Sequence, residues 1–365
     1  MRTLARAFWA SIALIVYTHI GYPIVLWILK NTRGSGRPLP SSPIPLPSVS
    51  LIIAARDEEQ VIATKVRNAL ELTYPRERLE LIVCSDGSAD RTAEAAREAG
   101  ADVVLDLPHQ GKVRTQDAGV ARAKGEIVAF SDANASLAPD ALERLVARFA
   151  DPEVGYVCGQ VRFHGDGGNQ EGLYWRYEMA IRALESDLGG VTGGNGALYA
   201  TRREAYVIVD ERMGHDLSFP FNMVKQGWRP VYEPSARADE KMTPTTDDEF
   251  ERKRRMAGHT WPIVLEGGLL SPRGYTPLYA LEVLSHRVLR YSTPFMHAVA
   301  LGTSAALARR SRLYALALAA QLGLLAAAFA PFGRLSRVAR YYVLITASQA
   351  LGLWDYARRG TPAGW

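Results

Sequence analysis

Cysteine is scarce: among 365 residues only Cys84 and Cys158 occur, far apart in the chain. That excludes a disulfide-stapled scaffold and a multi-cysteine zinc or iron–sulfur site. The seven histidines form no HxxxH pair, so a zinc hydrolase has no support. A P-loop is also lacking, because Gly111-Lys112 has neither the upstream glycine nor a following serine or threonine. Gly193-Gly194-Asn195-Gly196 is not a GxGxxG fingerprint opening a helix after a strand; it is a plain loop or a place where backbone approaches substrate. No internal repeat is present, and 48% hydrophobic with 22% charged residues excludes a disordered chain. A net charge of +5 without a basic stripe argues against nucleic acid and suits a membrane surface or a phosphate ligand.

Those averages conceal a strong segregation. Ala7–Leu29 is apolar apart from a few hydroxyls and His19, long enough to cross ~30 Å of hydrocarbon. The run exceeds a signal-peptide core and no small-x-small cleavage site follows it, which predicts a retained anchor. Leu313–Phe332 repeats the signal, and the shorter runs Pro294–Ala308 and Tyr341–Trp354 predict tilted spans, re-entrant pieces or interfacial helices. Asn31–Ser48, with Pro38, Pro40, Pro43, Pro45 and Pro47, reads as a semi-rigid tether.

Between these segments strands alternate with helices. Val49–Ala54, Leu79–Cys84, Asp102–Leu105 and Glu126–Phe130 read as short buried strands. Helical periodicity covers Glu58–Leu72, a stretch capped by Asp90 through Ala99, and Val113–Ala123. The pattern predicts an α/β fold, a mostly parallel twisted sheet with helices on both faces. A strand at Val154–Val161 and helices at Glu171–Asp187 and near Asp216–Gln226 follow, then the basic run Arg252, Lys253, Arg254, Arg255. The expected organisation is an N-terminal transmembrane anchor at 1–30, a linker at 31–48, a catalytic domain at 49–285 and a C-terminal membrane region at 286–365.

Ligands of open parallel sheets bind beyond the carboxyl ends of the strands. Arg56-Asp57-Glu58-Glu59, Ser85-Asp86-Gly87-Ser88 and Ser131-Asp132-Ala133-Asn134 all fall at such ends. Any one of them is explained by a turn or a helix cap, whereas three converging acidic clusters point to a polar ligand. In extended backbone Asp132 and Asn134 point the same way, so their oxygens suit a hard divalent cation shared with phosphate.

From Val49 to Glu233 the chain resembles the catalytic domain of the inverting family-2 glycosyltransferases, which have a GT-A nucleotide-sugar fold. The resemblance rests on SLIIAARDEEQVI, LELIVCSDGSADRT, GKVRTQDAGVARAKGEIVAFSDANA, GGNGALYATRREA and GHDLSFPFNMVKQGWRPVYEPSA, in that order. Tyr17, Gly21 and Tyr22-Pro23 in the first apolar run are similar to the membrane-bound branch of polysaccharide and glycolipid assembly. The resemblance implies a UDP-sugar donor, a lipid-linked or glycan acceptor, and Mg²⁺ or Mn²⁺. It further implies a multi-pass protein of the inner or plasma membrane with its catalytic domain on the cytoplasmic face.

Residue by residue, Ala54, Arg56 and Glu58 fall in the segment lining the nucleotide pocket, and Asp86 resembles the aspartate that holds uracil or ribose. Lys112 borders the base and phosphates, while Asp132 and Asn134 stand at the metal-binding DxD position. Gly194 and Asn195 approach the sugar. Asp216 matches the catalytic aspartate, with His215 in place of the usual glutamate before it and Asp117 in place of an asparagine. An inverting transfer is one displacement, needing a base for the acceptor hydroxyl and positive charge on the leaving diphosphate. Asp216 is the expected base, and the metal with Arg254 or Arg255 the expected counter-charge.

Alternatives stand beside these roles. Asp216 suits a helix N-cap, and the arginines suit an interfacial face drawn to anionic lipid. RKRRMAGHTW invites comparison with the Gln-x-x-Arg-Trp motif of processive synthases, but lacks the glutamine and displaces the tryptophan to Trp261. A processive polysaccharide synthase is thus one alternative function. A non-catalytic assembly or glycan-binding subunit, suggested by Asn134, His215 and Asp117, is the other.

Overall fold

The computed structural model describes residues 1–33, 46–164, 171–241, 246–330 and 333–361. Most of the expected tether, residues 34–45, lies outside them. The first helices, α1 (Arg2–Val16) and α2 (Tyr22–Arg33), run together through a π turn at Tyr17–Gly21.

β1 (Val49–Ala55) is buried along its whole length, as a central parallel strand covered on both faces must be. It lies between β2 (Leu79–Asp86) and β4 (Ile127–Asp132), with β3 (Val103–Leu107) outside β2, all parallel. The helices α3 (Glu59–Leu70), α4 (Thr92–Glu98) and α5 (Lys112–Arg122) make the crossovers. Alternate side chains of β1 divide the core: Leu51 and Ile53 pack with Ile62, Val66 and Ala69, while Ile52 faces Cys84, Val113 and Phe130.

After the short β5 (Ser136–Leu137) and α6 (Ala141–Ala147) come β6 (Val154–His164), α7 (Glu171–Leu188), β7 (Tyr199–Arg202), α8 (His215–Lys225) and β8 (Arg229–Lys241). The sheet order is β3-β2-β1-β4-β7-β6-β8-β5. Strand β7 runs antiparallel to both β4 and β6, and β5 antiparallel to β8, while β6 and β8 pair in parallel, so the mostly parallel sheet takes in antiparallel members in its second half. Asp90 serves two helices, accepting Thr92 N–H at 3.0 Å ahead of α4 and Glu59 N–H at 3.0 Å at the start of α3.

The chain then forms α9 (Thr246–Leu265), α10 (Pro277–Glu282), a second π turn at Val283–Val288, α11 (Leu289–Leu307), α12 (Arg312–Phe329) and α13 (Gly333–Arg359). Among the described residues, Arg2–Arg33 and Arg312–Phe329 are long and apolar enough to cross a membrane. Their apolar side chains face outward, with Trp27 60% and Phe329 72% exposed. The shorter predicted runs instead become parts of α11, which packs on α1, and α13, which packs along α9.

A buried carboxylate joins these parts. Glu185 on α7 accepts from Tyr22 Oη of α2 at 2.6 Å and from Thr192 N–H at 3.2 Å, and pairs with His286 Nδ1 of the second π turn at 2.7 Å. Glu185→Ala leaves three buried polar groups without their partner. We expect a loss of about 3–5 kcal/mol, read as a lowered thermal midpoint in detergent, with a smaller loss for Glu185→Gln.

Candidate functional site

Register brings the three acidic clusters together. Ala54 pairs opposite Asp132 and Ala55 opposite Ser85, so the loops after β1, β2 and β4 leave the sheet at one level. Asp86 is fully buried, and its carboxylate accepts Gln110 N–H at 2.7 Å and Gly111 N–H at 3.0 Å and meets His109 Nδ1 at 2.9 Å. Arg56 Nη1 reaches the other ring nitrogen of His109 at 2.9 Å. Asp86 therefore sets the entry to α5 at Gly111, whose φ of +87 suits glycine. That entry points Lys112 at Asp132, with which it forms an ion pair. Burial opposes charge on Lys112, yet the facing carboxylate holds its ammonium above the usual range.

The backbone turns immediately after Asp132, with Ala135 N–H bonded to the Asp132 carbonyl at 3.2 Å and Asn134 exposed. The extended geometry expected to aim Asp132 and Asn134 in one direction is therefore not what forms. Two other carboxylates lie near Asp132. Burial and the charge of Asp132 raise Glu58, and the same two causes push Glu240 of β8 up to about 7. Among the described residues no group of three His, Cys, Asp or Glu side chains is arranged to hold a metal alone. The raised proton affinity of Glu58 and Glu240 beside Asp132 nevertheless marks crowded carboxylate oxygens, which fit a hard cation completed by phosphate.

The glycine loop closes the site from the other side. Gly194 N–H bonds to the Asp216 carbonyl at 2.5 Å, and the Gly194 carbonyl accepts from Arg182 Nη2 at 2.9 Å. Arg287 Nε bonds Thr192 Oγ1 at 2.9 Å, and a Cβ on Gly193 would collide with its guanidinium. Asn195 spends both ends of its amide on the protein, donating to Gly159 O at 2.8 Å and accepting Leu198 N–H at 2.9 Å. It staples the loop to β6. Asp216 is the second residue of α8, whose N-cap is Gly214, so Asp216 is not the cap.

One cavity of about 900 Å³ unites Lys112, Asp132, Gly194, Asn195, Asp216 and Arg255. Ala54, Arg56, Glu58 and Asp86 do not line it. Arg254, expected on the leaving group, instead makes a two-pronged pair with Asp355 of α13 at 2.6 and 2.9 Å, outside the cavity. Arg252, Lys253, Glu240, Arg182 and Arg287 line the cavity and were not foreseen in that place. Lys65 is a further surprise. This lysine of α3 lies buried under the Asp132 turn, donating to Ser131 Oγ at 2.7 Å and Ala135 O at 2.6 Å, and burial lowers it to about 7.

Residues 50–209 match the profile of glycosyl transferase family 2. Over that stretch the chain is similar to the family-2 glycosyltransferases. A beta-monoglucosyldiacylglycerol synthase of Trichormus variabilis is 32% identical over 201 residues, covering 50% of this chain and 42% of that protein. An N-acetylglucosaminyltransferase of Rhizobium meliloti is 26% identical over 269 residues, covering 67% and 62%. The chain thus spans about half the length of these curated relatives. A mannosyltransferase from Pyrobaculum calidifontis, solved with GDP-Man and Mn²⁺, superimposes with a TM-score of 0.74 at 23% identity, covering 96% of this chain and 99% of that one. The glycosyltransferase fold is GT-A-like, an α/β sheet with apolar helices at either side in sequence.

Two measurements test this packing. Gly194→Ala drives a methyl into the Tyr156 hydroxyl and displaces the loop, and Tyr156→Phe in the same chain removes the obstacle. The single variant should lose donor binding and the double variant recover part of it, as measured by calorimetry. Lys65 has a folded value near 7 against 10.5 unfolded, so the folded state gives up its proton first. Relative to Lys65→Met, the wild-type domain should gain stability as pH rises from about 7 toward 10.5, by a few kcal/mol on the order of the linkage limit, in pH-dependent unfolding.

Proposed function

We propose that this domain transfers a sugar, with inversion, from a nucleotide diphosphate donor to a lipid-linked acceptor. The reading rests on one observation: the cavity that holds Lys112, Asp132 and Asp216 continues to Tyr341, Tyr342 and Ile345 of α13, and to His19 beside α1. A polar reaction chamber open to an apolar helix bundle suits an acceptor with a polar head and a hydrocarbon tail. The diacylglycerol in the name of one relative agrees with such an acceptor.

In this reading the acceptor hydroxyl attacks the anomeric carbon as the bond from that carbon to the diphosphate oxygen breaks. Asp216 takes the hydroxyl proton, and the diphosphate leaves toward Lys112 and Arg255. Ala54, Arg56, Glu58 and Asp86 shape the nucleotide end, the last by fixing the 109–111 loop. Asp132, with Glu240 near it in place of the Asn134 expected from the sequence, would hold Mg²⁺ or Mn²⁺, which would offset charge on the diphosphate. The mannosyltransferase with the similar fold was solved with Mn²⁺, which favours a divalent ion here.

We place the protein in the inner or plasma membrane as a multi-pass chain, with α1–α2 and α12 in the bilayer and the catalytic domain cytoplasmic. Lys30 and Arg33 at the domain end of α2 support that side, while Arg2 and Arg6 oppose it. Membranes carrying the chain should release one nucleoside diphosphate from a panel of UDP-, GDP- and dTDP-sugars, only with Mn²⁺ or Mg²⁺. Asp216→Asn should cut that release roughly 100-fold or more. Release that is indifferent to the substitution would remove Asp216 from the mechanism, and a product ladder in place of one added sugar would mark a polymerising synthase.

A further inference from the structure

His215, the residue before the proposed base, is buried at 4% exposure and lines the cavity. Its ring cannot turn freely. It stacks on Phe219 at 4.0 Å between centroids, and the edges or faces of Phe130, Tyr199 and Tyr206 lie within 6.1 Å. Burial, with the charge of Lys112 behind it, lowers the imidazole to about 3, so the ring is neutral and carries a single proton.

The hydrogen-bond chain assigns that proton. The Gln116 amide donates to Tyr199 Oη at 3.2 Å, and Tyr199 Oη lies 2.8 Å from His215 Nδ1. The phenol proton has no acceptor other than Nδ1 among the described residues, so Tyr199 donates to His215. The imidazole hydrogen is then on Nε2. That atom is buried and has no hydrogen-bond partner among the described residues. A buried donor left unmet is a standing cost, and the group that relieves it must bring an acceptor oxygen.

Position identifies the oxygen, given the reading under Proposed function. Asp216 must face the anomeric carbon from the acceptor side, and the diphosphate lies away from it, toward Lys112. His215 lines the same cavity as Lys112 and Asp216, and a sugar bridging diphosphate and base passes along that lining. We propose that His215 Nε2–H donates to one ring hydroxyl of the transferred sugar and makes the enzyme selective for donors that carry that hydroxyl. A neutral donor fixed by aromatic rings suits a neutral hydroxyl, and its hydrogen bond does not depend on pH across the physiological range.

The test uses the full-length protein in detergent, its working donor from the nucleotide-sugar panel, and the monodeoxy analogues of that donor. In wild type, one deoxy position should lose roughly 10- to 100-fold in kcat/KM. The double variant His215→Phe with Tyr199→Phe removes the donor without stranding the phenol. It should lose a similar factor on the parent sugar, lose nothing further on that deoxy analogue, and bind the free nucleoside diphosphate as wild type does. A variant that still discriminates against the same analogue overturns the proposal. Equal weakening of nucleoside diphosphate binding also overturns it, by placing the contact on phosphate. If the variant does not fold, the wild-type series decides alone: deoxy analogues all used as well as the parent refute the contact. A wild-type protein that turns over no donor at all removes the transferase reading itself, and this inference with it.

Discussion

A carboxylate taken out of water must be surrounded by donors, and the groups that surround Glu185 come from segments with nothing else in common. Tyr22 belongs to α2, Thr192 to the glycine loop, and His286 to the second π turn. Glu178, two helical turns earlier on α7, adds Arg290 and the far nitrogen of His286. Because a half-satisfied buried network is worse than none, these segments hold their places together. The glycine loop, and with it Gly194 and its bond to Asp216, inherits its position from the apolar helices. The placement of the apolar helices and the geometry of the candidate site are thus one structural problem in this chain.

The first half of the fold was legible because parallel strands covered on both faces read as unbroken apolar runs. Val49–Ala54 and Glu126–Phe130 needed no context to be recognised, and the polar residues that end them mark the ligand side. The reversal of β7 was not legible: Tyr199–Arg202 is four residues long, and its direction is fixed by which neighbours it meets. Likewise Tyr341–Trp354 has the composition of a short span, yet it lies within a longer helix whose partner is α9, and composition carries no information about partners.

At the site, residue type was readable and side-chain direction was not. Position and resemblance mark out Asp132 and Asp216, but aiming Asn134 beside Asp132 needs extended backbone where the chain turns. Arg254 and Arg255 are adjacent on α9, so a helix sends them in different directions, one to Asp355 and one to the cavity. Lys65 did leave a trace: with Ile62, Val66 and Ala69 it occupies the i, i+3, i+4, i+7 stripe that faces the core. A lysine in such a stripe announces a buried cation. Glu240 left none, because strand β8 runs past the sheet's regular alternation, and only the fold brings it near Asp132.

The two π turns, Tyr17–Gly21 and Val283–Val288, touch through Tyr17 Oη and Ser285 Oγ at 2.8 Å. Each inserts a residue into an otherwise regular helix and so resets the rotation of everything beyond it by about 100°. At the first turn the two sides answer to different neighbours, α2 packing on α7 and α1 on α11. That turn acts as a phase adapter between a domain whose side chains are fixed by hydrogen bonds and a bundle whose side chains are fixed by shape. A chain built this way can change the apolar face that its outer helices present without disturbing the register at Glu185.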